Sequence, residues 1–360
     1  MLGYCTNVHS GDTFSDVLAT IKNIYKPICN EGKHNACVGL WLSNTASIET
    51  NSAQLKDTLE ACNVCVSTMN GFPYSNFHSK VVQHDVYTPN WADPKRFEYT
   101  KRLATIFSDI TNETDVGIST LPLGWESDSF TNQDAAVFLQ GCVRFLFELE
   151  QQTGVCVHID IETEPGCRLQ RAEDLACFMN TYFKDDELAR RHIRVCHDTC
   201  HGAVMQENVE NMVTQYNSAG LTIGKVQLSN ALEVNFDTGN VEEKSQALQS
   251  MIEPRYLHQT TIQYDGAISF HENLTKEMFA SPQGLWRVHF HVPIHLASFG
   301  VLGTTQDSLE RAIPILTQAG ATNWEVETYT WDVLPTQFRE GELLTSIAKE
   351  LEWAASRINT

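Results

Sequence analysis

The chain has 360 residues, with 45 acidic and 25 basic side chains and a formal net charge of −20. Such an excess of negative charge repels a phosphate backbone, so we expect no nucleic-acid partner. No apolar run approaches the roughly 18 residues that cross a bilayer, and the first residues lack the basic and apolar regions of a signal peptide. We therefore expect a cytoplasmic protein without a transmembrane segment.

The 11 cysteines do not follow the pattern of a disulfide framework, because their number is odd and they are scattered from Cys5 to Cys200. We expect mostly reduced, buried thiols. Cys62 and Cys65 have the spacing of a redox or zinc pair, but no second CxxC follows and Val64-Cys65-Val66 predicts a strand. We therefore predict a structural role for this pair, as small buried apolar residues.

A short β-rich run, a polar or glycine-containing loop and a helical stretch recur along almost the whole chain. The predicted strands cover residues 4–7, 38–42, 64–68, 116–120, 155–161, 193–197, 225–229, 288–292 and 324–329. Apolar residues at helical spacing predict one helix from Asp134, as its N-cap, to Phe147, and another from Leu309 to Leu316. The alternation indicates a parallel sheet covered by helices.

An open doubly wound sheet and a closed barrel both fit this alternation. Polar residues at or just past the predicted strand ends are Asn7, His9, Asn70, Glu162, Glu164, Asp198, His201, Gln227 and Glu327. A TIM barrel assembles its active site at that end of its strands, and the sequence has neither GxGxxG after the first strand nor GxxxxGK[ST]. We predict an α/β fold, a (β/α)8 TIM barrel in one domain over residues 1–360. The sequence has nine candidate strands, whereas the barrel has eight, so we predict an insertion near residues 232–286.

Asp198 leaves a predicted strand end and His201 follows three residues later. Carboxylate oxygen suits hard divalent cations, and a neutral imidazole can complete such a site. The simpler alternative is an aspartate that caps a helix beside a surface histidine. The pair alone therefore indicates a metal site only in combination with further ligands.

Four ionisable residues, His158, Asp160, Glu162 and Glu164, alternate along one strand and share one face. Burying that face without ligands or counter-charges is costly. An exposed edge strand would avoid this cost, but the alternate residues are apolar and helices flank the strand. We therefore predict a functional inward face. Glu327 places another acid at a strand end, as a ligand or a base.

The late strands carry further candidates. Gln227 is a single polar side chain in a strand-like run, and it could also be a hydrogen-bonded core amide. Arg287, His289 and His291 share one face, which suits a carboxylate, a phosphate or sugar hydroxyls. Two buried, hydrogen-bonded histidines are the structural alternative.

The polar residues at successive strand ends resemble the ligand pattern of the xylose-isomerase-like TIM barrels. They are Glu162, Asp198 with His201, Gln227 and Glu327. That superfamily includes sugar isomerases and epimerases, hydroxypyruvate isomerase and endonuclease IV. The resemblance implies one divalent metal ion (Zn, Mn, Mg or Co) with the ligands Glu162, Asp198, Gln227 and Glu327. The step from Gln227 to Glu327 is far longer than one βα unit. Whether Gln227 or the pair His289 and His291 takes the seventh-strand position therefore stays open.

Over nearly the whole chain, residues 2–9, 70–78, 287–293 and 325–331 look like those of the EboE group of metabolite traffic proteins. That resemblance implies a cytosolic TIM barrel, encoded with genes that move or process a metabolite, with no settled reaction. Its partner would be a small-molecule metabolite, and the sequence leaves the substrate and the oligomeric state open.

Our hypothesis, in line with the resemblance to the xylose-isomerase-like barrels, is an isomerase or epimerase that acts on a small polyhydroxylated carbonyl compound through an enediolate. Glu162 and Glu327 would exchange the proton next to the carbonyl. The remaining predicted catalytic and substrate-binding residues are His201, His289, His291, Arg287, Glu164, Phe72 and Trp125. A non-catalytic metabolite-binding protein with the same pocket is the alternative. DNA repair of the endonuclease IV kind is disfavoured by the acidic charge.

Overall fold

The computed structural model of the chain describes residues 1–31, 37–339 and 341–358. The strands in these residues are β1 (Leu2–Cys5), β2 (Cys37–Trp41), β3 (Val66–Asn70), β4 (Asp115–Thr120), β5 (Cys156–Glu162), β6 (Ile193–Asp198), β7 (Ile223–Leu228), β8 (Asn230–Asn235), β9 (Thr260–Tyr264), β10 (Ala267–His271), β11 (Leu285–Val292), β12 (Ser298–Phe299), β13 (Leu302–Thr304) and β14 (Trp324–Val326). Strands β1 to β7 and β14 pair in parallel and close into a barrel in the order β1-β14-β7-β6-β5-β4-β3-β2. The predicted TIM barrel is confirmed, and closure excludes the open doubly wound sheet.

Helices connect the barrel strands and cover the outside of the barrel. They are α1 (Phe14–Thr20), α2 (Lys26–Glu31), α3 (Asn44–Glu49), α4 (Ser52–Cys62), α5 (Pro94–Ile110), α6 (Asn132–Thr153), α7 (Ala172–Tyr182), α8 (Glu187–His192), α9 (Thr199–Val204), α10 (Val209–Ser218), α11 (Val241–Gln249), α12 (Gln306–Gln318) and α13 (Leu343–Ile358), with a π-helical segment at Ile21–Tyr25. Apolar helix residues such as Phe107 and Leu139 share one hydrophobic core with strand residues such as Val157. In the described part of the chain, no helix is long and apolar enough to span a membrane.

Helix α6 begins earlier than its sequence pattern predicted. Thr131 is the N-cap: its hydroxyl accepts the backbone N–H of Asp134 at 3.2 Å, and the Asp134 carboxylate accepts the backbone N–H of Thr131 at 2.8 Å. This reciprocal capping box satisfies two N–H groups at the helix start. The prediction of Asp134 as the N-cap is therefore wrong by three positions. The second predicted helix, 309–316, lies within α12.

The chain between β7 and α12 forms a second, antiparallel sheet in the order β10-β9-β11-β8-β13-β12. This inserted sheet extends from Asn230 to Thr304, so it starts near the predicted insertion but continues well past residue 286. The predicted strand 288–292 is part of β11 and is the surplus ninth candidate. Trp286, Val288 and Phe290 belong to a hydrophobic cluster of this sheet, which gives it a core beside that of the barrel.

Cys37 and Cys65 form a disulfide between the start of β2 and the residue before β3. The prediction of reduced thiols is wrong for this pair, and Cys62, the CxxC partner of Cys65, takes no part in the bond. Spacing along one segment cannot reveal a partner that lies on the neighbouring strand. Buried thiols, as predicted, include those of Cys5, Cys142, Cys156, Cys167, Cys196 and Cys200.

The barrel interior contains paired charges. His158 and Asp160 are fully buried, and Nδ1 of His158 lies 2.6 Å from Oδ1 of Asp160. Gly117 on the adjacent strand leaves the necessary space, because a Cβ there would collide with both side chains. The buried ammonium of Lys225 donates to Glu325 at 3.0 Å. These pairings offset the cost of burying charge inside the barrel.

Candidate functional site

Three carboxylates meet at the C-terminal end of the barrel. Glu162 is the last residue of β5, Asp198 is the last residue of β6, and Glu327 follows β14 directly. One oxygen from each lies within 4.8 Å of the others, and the three residues are only 2–4% exposed. Parallel strands bring these side chains together although they are far apart in the chain.

The crowding of buried carboxylates perturbs their protonation. Burial, and then repulsion from Glu327 and Asp198, raises the pKa of Glu162 well above its usual value. Burial and the charge of Asp198 raise the pKa of Glu327 to about 8, although Lys225 opposes the shift. A cation between these groups would offset both the repulsion and the loss of hydration.

Of the two carboxylate oxygens of Asp198, one accepts hydrogen bonds from neighbouring residues and the other accepts none from the described residues. Its Oδ1 accepts the backbone N–H of His201 at 2.9 Å, as the N-cap of α9, and the hydroxyl of Ser229 at 2.8 Å. Burial opposes ionisation, but His201, His291 and these hydrogen bonds lower the pKa of Asp198 below its usual value. Oδ2 is buried and makes no hydrogen bond with the described residues. A buried, ionised oxygen without a partner is suited to a metal ion.

His291 reaches the same space from strand β11 of the inserted sheet. Its Nδ1 lies 3.0 Å from the backbone carbonyl of Glu327, which accepts its proton. Its Nε2 lies 4.0 Å from Oδ2 of Asp198 and has no hydrogen-bond partner among the described residues. Burial lowers the pKa of His291 to about 4, so the ring is neutral. A neutral imidazole held through Nδ1, with Nε2 open, is the usual arrangement of a metal-binding histidine.

Gln227 lies on β7, beside both Asp198 and Glu325 in the strand register. Its Oε1 accepts the thiol of Cys196 at 2.7 Å, and its Nε2 is buried without a hydrogen-bond partner in the described part of the chain. The amide oxygen, the only atom of Gln227 that could bind a cation, therefore already accepts one hydrogen bond and keeps one lone pair.

A second polar group adjoins the three carboxylates. Nε2 of His201 lies 3.2 Å from Nε2 of His289, and the Tyr87 hydroxyl donates to Glu164 at 2.6 Å. Ligand atoms of Glu164, His201 and His289 lie within 4.8 Å of one another. Burial raises the pKa of Glu164 and lowers that of His289 well below its usual value.

Two asparagines orient Glu327. The side-chain amides of Asn7 and Asn70 both donate to Oε1 of Glu327, at 2.7 Å and 3.0 Å. Both asparagines stand at strand ends in the sequence, but the pattern gave no reason to assign them a role. Tyr87 and Gln259 also contact the polar group. Tyr87 ends a short 3-10 helix and Gln259 directly precedes β9, and no sequence signal distinguishes either residue.

Asn7, Asn70, Tyr87 and Glu327 line a partly open cavity of about 50 Å³. That volume holds about four water molecules, whereas a six-carbon ring such as benzene occupies a cavity of about 150 Å³. The residues that line it include Asn7, Asn70, Phe72, Phe77, Tyr87, Glu162, Glu164, His201, Tyr256, His289, Glu327 and Tyr329. Asparagine, carboxylate and imidazole groups form one side, and aromatic rings form much of the rest.

The cavity is covered by a strap, residues 77–87, that crosses from the barrel to the inserted sheet. The backbone N–H groups of Val82 and Gln83 both donate to the carbonyl of Arg255, at 2.7 Å and 2.9 Å. The Tyr256 hydroxyl donates to the carbonyl of Phe77 at 3.0 Å. Phe77, Val82 and Tyr87 of this strap line the cavity.

The remaining predicted site residues take different positions. Phe72 lines the cavity, as a wall residue would, whereas Trp125 is not among the lining residues and packs behind Tyr87 with ring centroids 4.9 Å apart. Arg287 points away from the cavity: its guanidinium donates to Glu233 at 2.8 Å and to the carbonyl of Ala203 at 2.9 Å. Arg287 thus caps the C-terminal end of α9 instead of facing the carboxylates.

The closed parallel barrel, with polar residues gathered at the C-terminal strand ends, defines a protein of the TIM-barrel fold. The IolI protein with a binding zinc atom is similar over 99% of this chain and 98% of its own, with a TM-score of 0.52 and 11% identity. A xylose-isomerase-like TIM-barrel protein from Mycobacterium smegmatis, in complex with magnesium, is similar over 99% and 96%, with a TM-score of 0.54 and 9% identity. No protein-family model matches the chain, and no curated protein matches it. At these identities the similarity establishes the fold alone.

Proposed function

We propose that the chain is a divalent-metal-dependent isomerase or epimerase that acts on a small polyhydroxylated carbonyl metabolite through an enediolate. The observation that carries this proposal is the meeting of Glu162, Asp198 and Glu327 with the open Nε2 of His291 in one buried space. In line with the resemblance to the EboE group, its setting would be metabolite processing or trafficking in the cytoplasm, without a nucleic-acid partner.

Glu162, Asp198 and Glu327 would hold the cation, and we assign the fourth position to His291 in preference to Gln227. The open atoms of Asp198 and His291 support this choice, as does the engagement of the Gln227 oxygen by Cys196. The mixed oxygen and nitrogen set suits zinc, manganese or cobalt, and magnesium if water completes the shell. A cation bound there supplies Lewis-acid stabilisation of the negative charge that develops on substrate oxygens.

The chain's own residues would carry the proton and orient the substrate. Glu162 and Glu327 would flank the substrate, and Asn7 and Asn70 hold Glu327 in one orientation. A carboxylate so positioned can remove the proton next to the carbonyl and return it. His201, His289 and Glu164 would orient hydroxyl groups, and Phe72 would form an apolar wall.

The decisive measurement is the metal content of the purified protein and of Asp198→Ala. We expect the substitution to remove one divalent ion per chain, because it deletes a ligand and the cap of α9. Asp109→Ala, at an exposed position on α5, is the matched control and should keep its metal. Equal and negligible metal in the wild type and in Asp198→Ala would contradict the proposal.

Catalysis is tested by solvent deuterium exchange at the carbon next to the carbonyl, in a panel of sugars and hydroxy-carbonyl compounds. We expect exchange with the wild type and a loss of at least about 100-fold in Glu327→Gln, since general base catalysis typically contributes that much. Tight binding of a compound without any exchange would instead identify a non-catalytic metabolite-binding protein.

A further inference from the structure

A second group of metal-ligating side chains lies at the opposite, N-terminal end of the barrel. Glu150 lies in the last turn of α6, Cys156 begins β5, and His192 ends α8. One ligand atom from each lies within 4.8 Å of the others. Because β5 runs from Cys156 to Glu162, this group is about 20 Å from the candidate active site.

His192 has the orientation of a metal ligand. Its Nδ1 lies 2.8 Å from the carbonyl oxygen of Val157, which accepts its proton and leaves the Nε2 lone pair open. Nε2 is buried and makes no hydrogen bond with the described residues, although it lies 3.4 Å from Oε2 of Glu150. The residue is 0% exposed, and burial lowers its pKa, so the ring is neutral. An imidazole fixed by a carbonyl on one nitrogen is typical of metal sites.

The separation between His192 and Glu150, 3.4 Å, fits two ligands of one tetrahedral ion. Two ligand atoms about 2.0–2.1 Å from zinc stand about 3.3 Å apart, close to the separation between His192 and Glu150. Arg191 binds the Glu150 carboxylate through both oxygens, with Nε–H donating to Oε2 at 2.8 Å and Nη2–H donating to Oε1. This pair orients the carboxylate, and each oxygen keeps a further lone pair. Burial raises the pKa of Cys156 to about 11, so this thiol is protonated until a cation displaces the proton into solvent. A divalent ion would offset the charge of the thiolate and share with Arg191 that of the carboxylate.

We propose that Glu150, Cys156 and His192 form a zinc site, completed by water, that ties the ends of α6 and α8 to the start of β5. Sulfur and imidazole ligands favour zinc over magnesium, calcium or manganese. The N-terminal face of a TIM barrel serves stability and not catalysis, so the site is structural.

Cobalt(II) titration of the chelator-treated, full-length protein tests this site apart from the candidate active site. A cobalt–thiolate bond gives a charge-transfer band in the near ultraviolet. We expect this band in the wild type and in Asp198→Ala, and its loss in Cys156→Ser and in Glu150→Gln. Glu150 is partly exposed on α6, and glutamine keeps one hydrogen-bond acceptor for Arg191, so we expect Glu150→Gln to fold. This variant therefore tests the site even if Cys156→Ser fails to fold.

Three further cysteine variants serve as controls. Cys142→Ser changes a buried thiol on the same helix α6, and Cys196→Ser and Cys200→Ser change the thiols nearest the three carboxylates. All three should retain the band. Absence of the band in the wild type, or its loss in Cys196→Ser or Cys200→Ser with retention in Glu150→Gln, would overturn the proposal. Either result would leave the test of the candidate active site, by the metal content of Asp198→Ala, unaffected.

Discussion

Nε2 of His201 lies 3.2 Å from Nε2 of His289, and this contact joins helix α9 of the barrel to the inserted sheet. The other nitrogen of each ring already faces an oxygen. Nδ1 of His201 is 2.9 Å from the Thr163 carbonyl, and Nδ1 of His289 is 2.7 Å from Oε1 of Gln259. Each Nδ1 therefore carries a proton, and two neutral rings would point lone pairs at each other. The Tyr329 hydroxyl lies 3.3 Å from Nε2 of His289 and can donate its proton to that lone pair.

We predict that His289 is protonated at Nδ1 alone. Burial, with the neighbouring His201 and His291, lowers the pKa of His289 well below its usual value, so its ring stays neutral from about pH 6 to about pH 8. Nitrogen-15 NMR of the metal-free protein measures the state of each ring nitrogen. The half-exposed ring of His84 is an internal reference for a solvent-contacting histidine. Protonation of both nitrogens of His289 near pH 7 would refute the assignment.

His291 and Gln227 are the two candidates for the fourth metal ligand. Substituting His291 should weaken metal binding more than substituting Gln227. We expect His291→Ala to weaken metal binding by at least about 100-fold, since loss of even a residue that only orients a ligand costs 10–100-fold. Gln227→Met, which removes an amide already engaged by Cys196, should cost less than about 10-fold. Competition with a fluorescent chelator measures both affinities. The reverse order would identify Gln227 as the ligand.

The strap over the cavity should open more often when its hydrogen bond to Tyr256 is removed. Tyr256→Phe keeps the ring contacts with Phe77 and Tyr329 but deletes the 3.0 Å bond to the Phe77 carbonyl. A net hydrogen bond of about 1 kcal/mol predicts about fivefold faster amide hydrogen exchange in residues 77–87. Tyr182→Phe, on helix α7, is the control. Unchanged exchange in the strap would show that this bond does not hold it closed.

Stability should fall between about pH 4.5 and about pH 7 because of Glu350. This buried carboxyl accepts the hydroxyls of Tyr4 at 3.0 Å and Thr328 at 2.6 Å, and burial raises its pKa to about 7. Between the unfolded and folded pKa values the folded state keeps a proton that the unfolded state has released. The stabilisation is therefore full below the unfolded value and is lost as pH rises through the folded one, by about 3 kcal/mol.

Urea unfolding at about pH 5 and about pH 8 measures this loss, because the free energy of unfolding is extrapolated from each curve. The pH-dependent change should be about 3 kcal/mol smaller in Glu350→Gln than in the wild type. Glu352→Gln, at an exposed position on the same helix α13, is the control and should match the wild type. A Glu350→Gln variant with the full wild-type pH dependence would contradict the shifted pKa.

Much of the barrel could be predicted from local patterns. Eight of the nine candidate strands are barrel strands, because a buried parallel strand is encoded by a short run of its own residues. The alternation of His158, Asp160, Glu162 and Glu164 predicted an inward face, and all four side chains are buried. Period-two alternation decides which face of the strand each side chain takes, whatever surrounds it.

Features that depend on two distant segments could not be predicted in this way. The sequence by itself determined the β/α alternation and the acids at the strand ends. Only the tertiary structure decided that β14 closes the barrel, that Cys37 pairs with Cys65, and that the strand of His291 belongs to the inserted sheet. It also turned Arg287 away from the cavity and brought the open nitrogen of His291 to Asp198. The physical reason is that strand periodicity is local, whereas the choice of partner depends on how about 75 inserted residues pack across the end of the barrel.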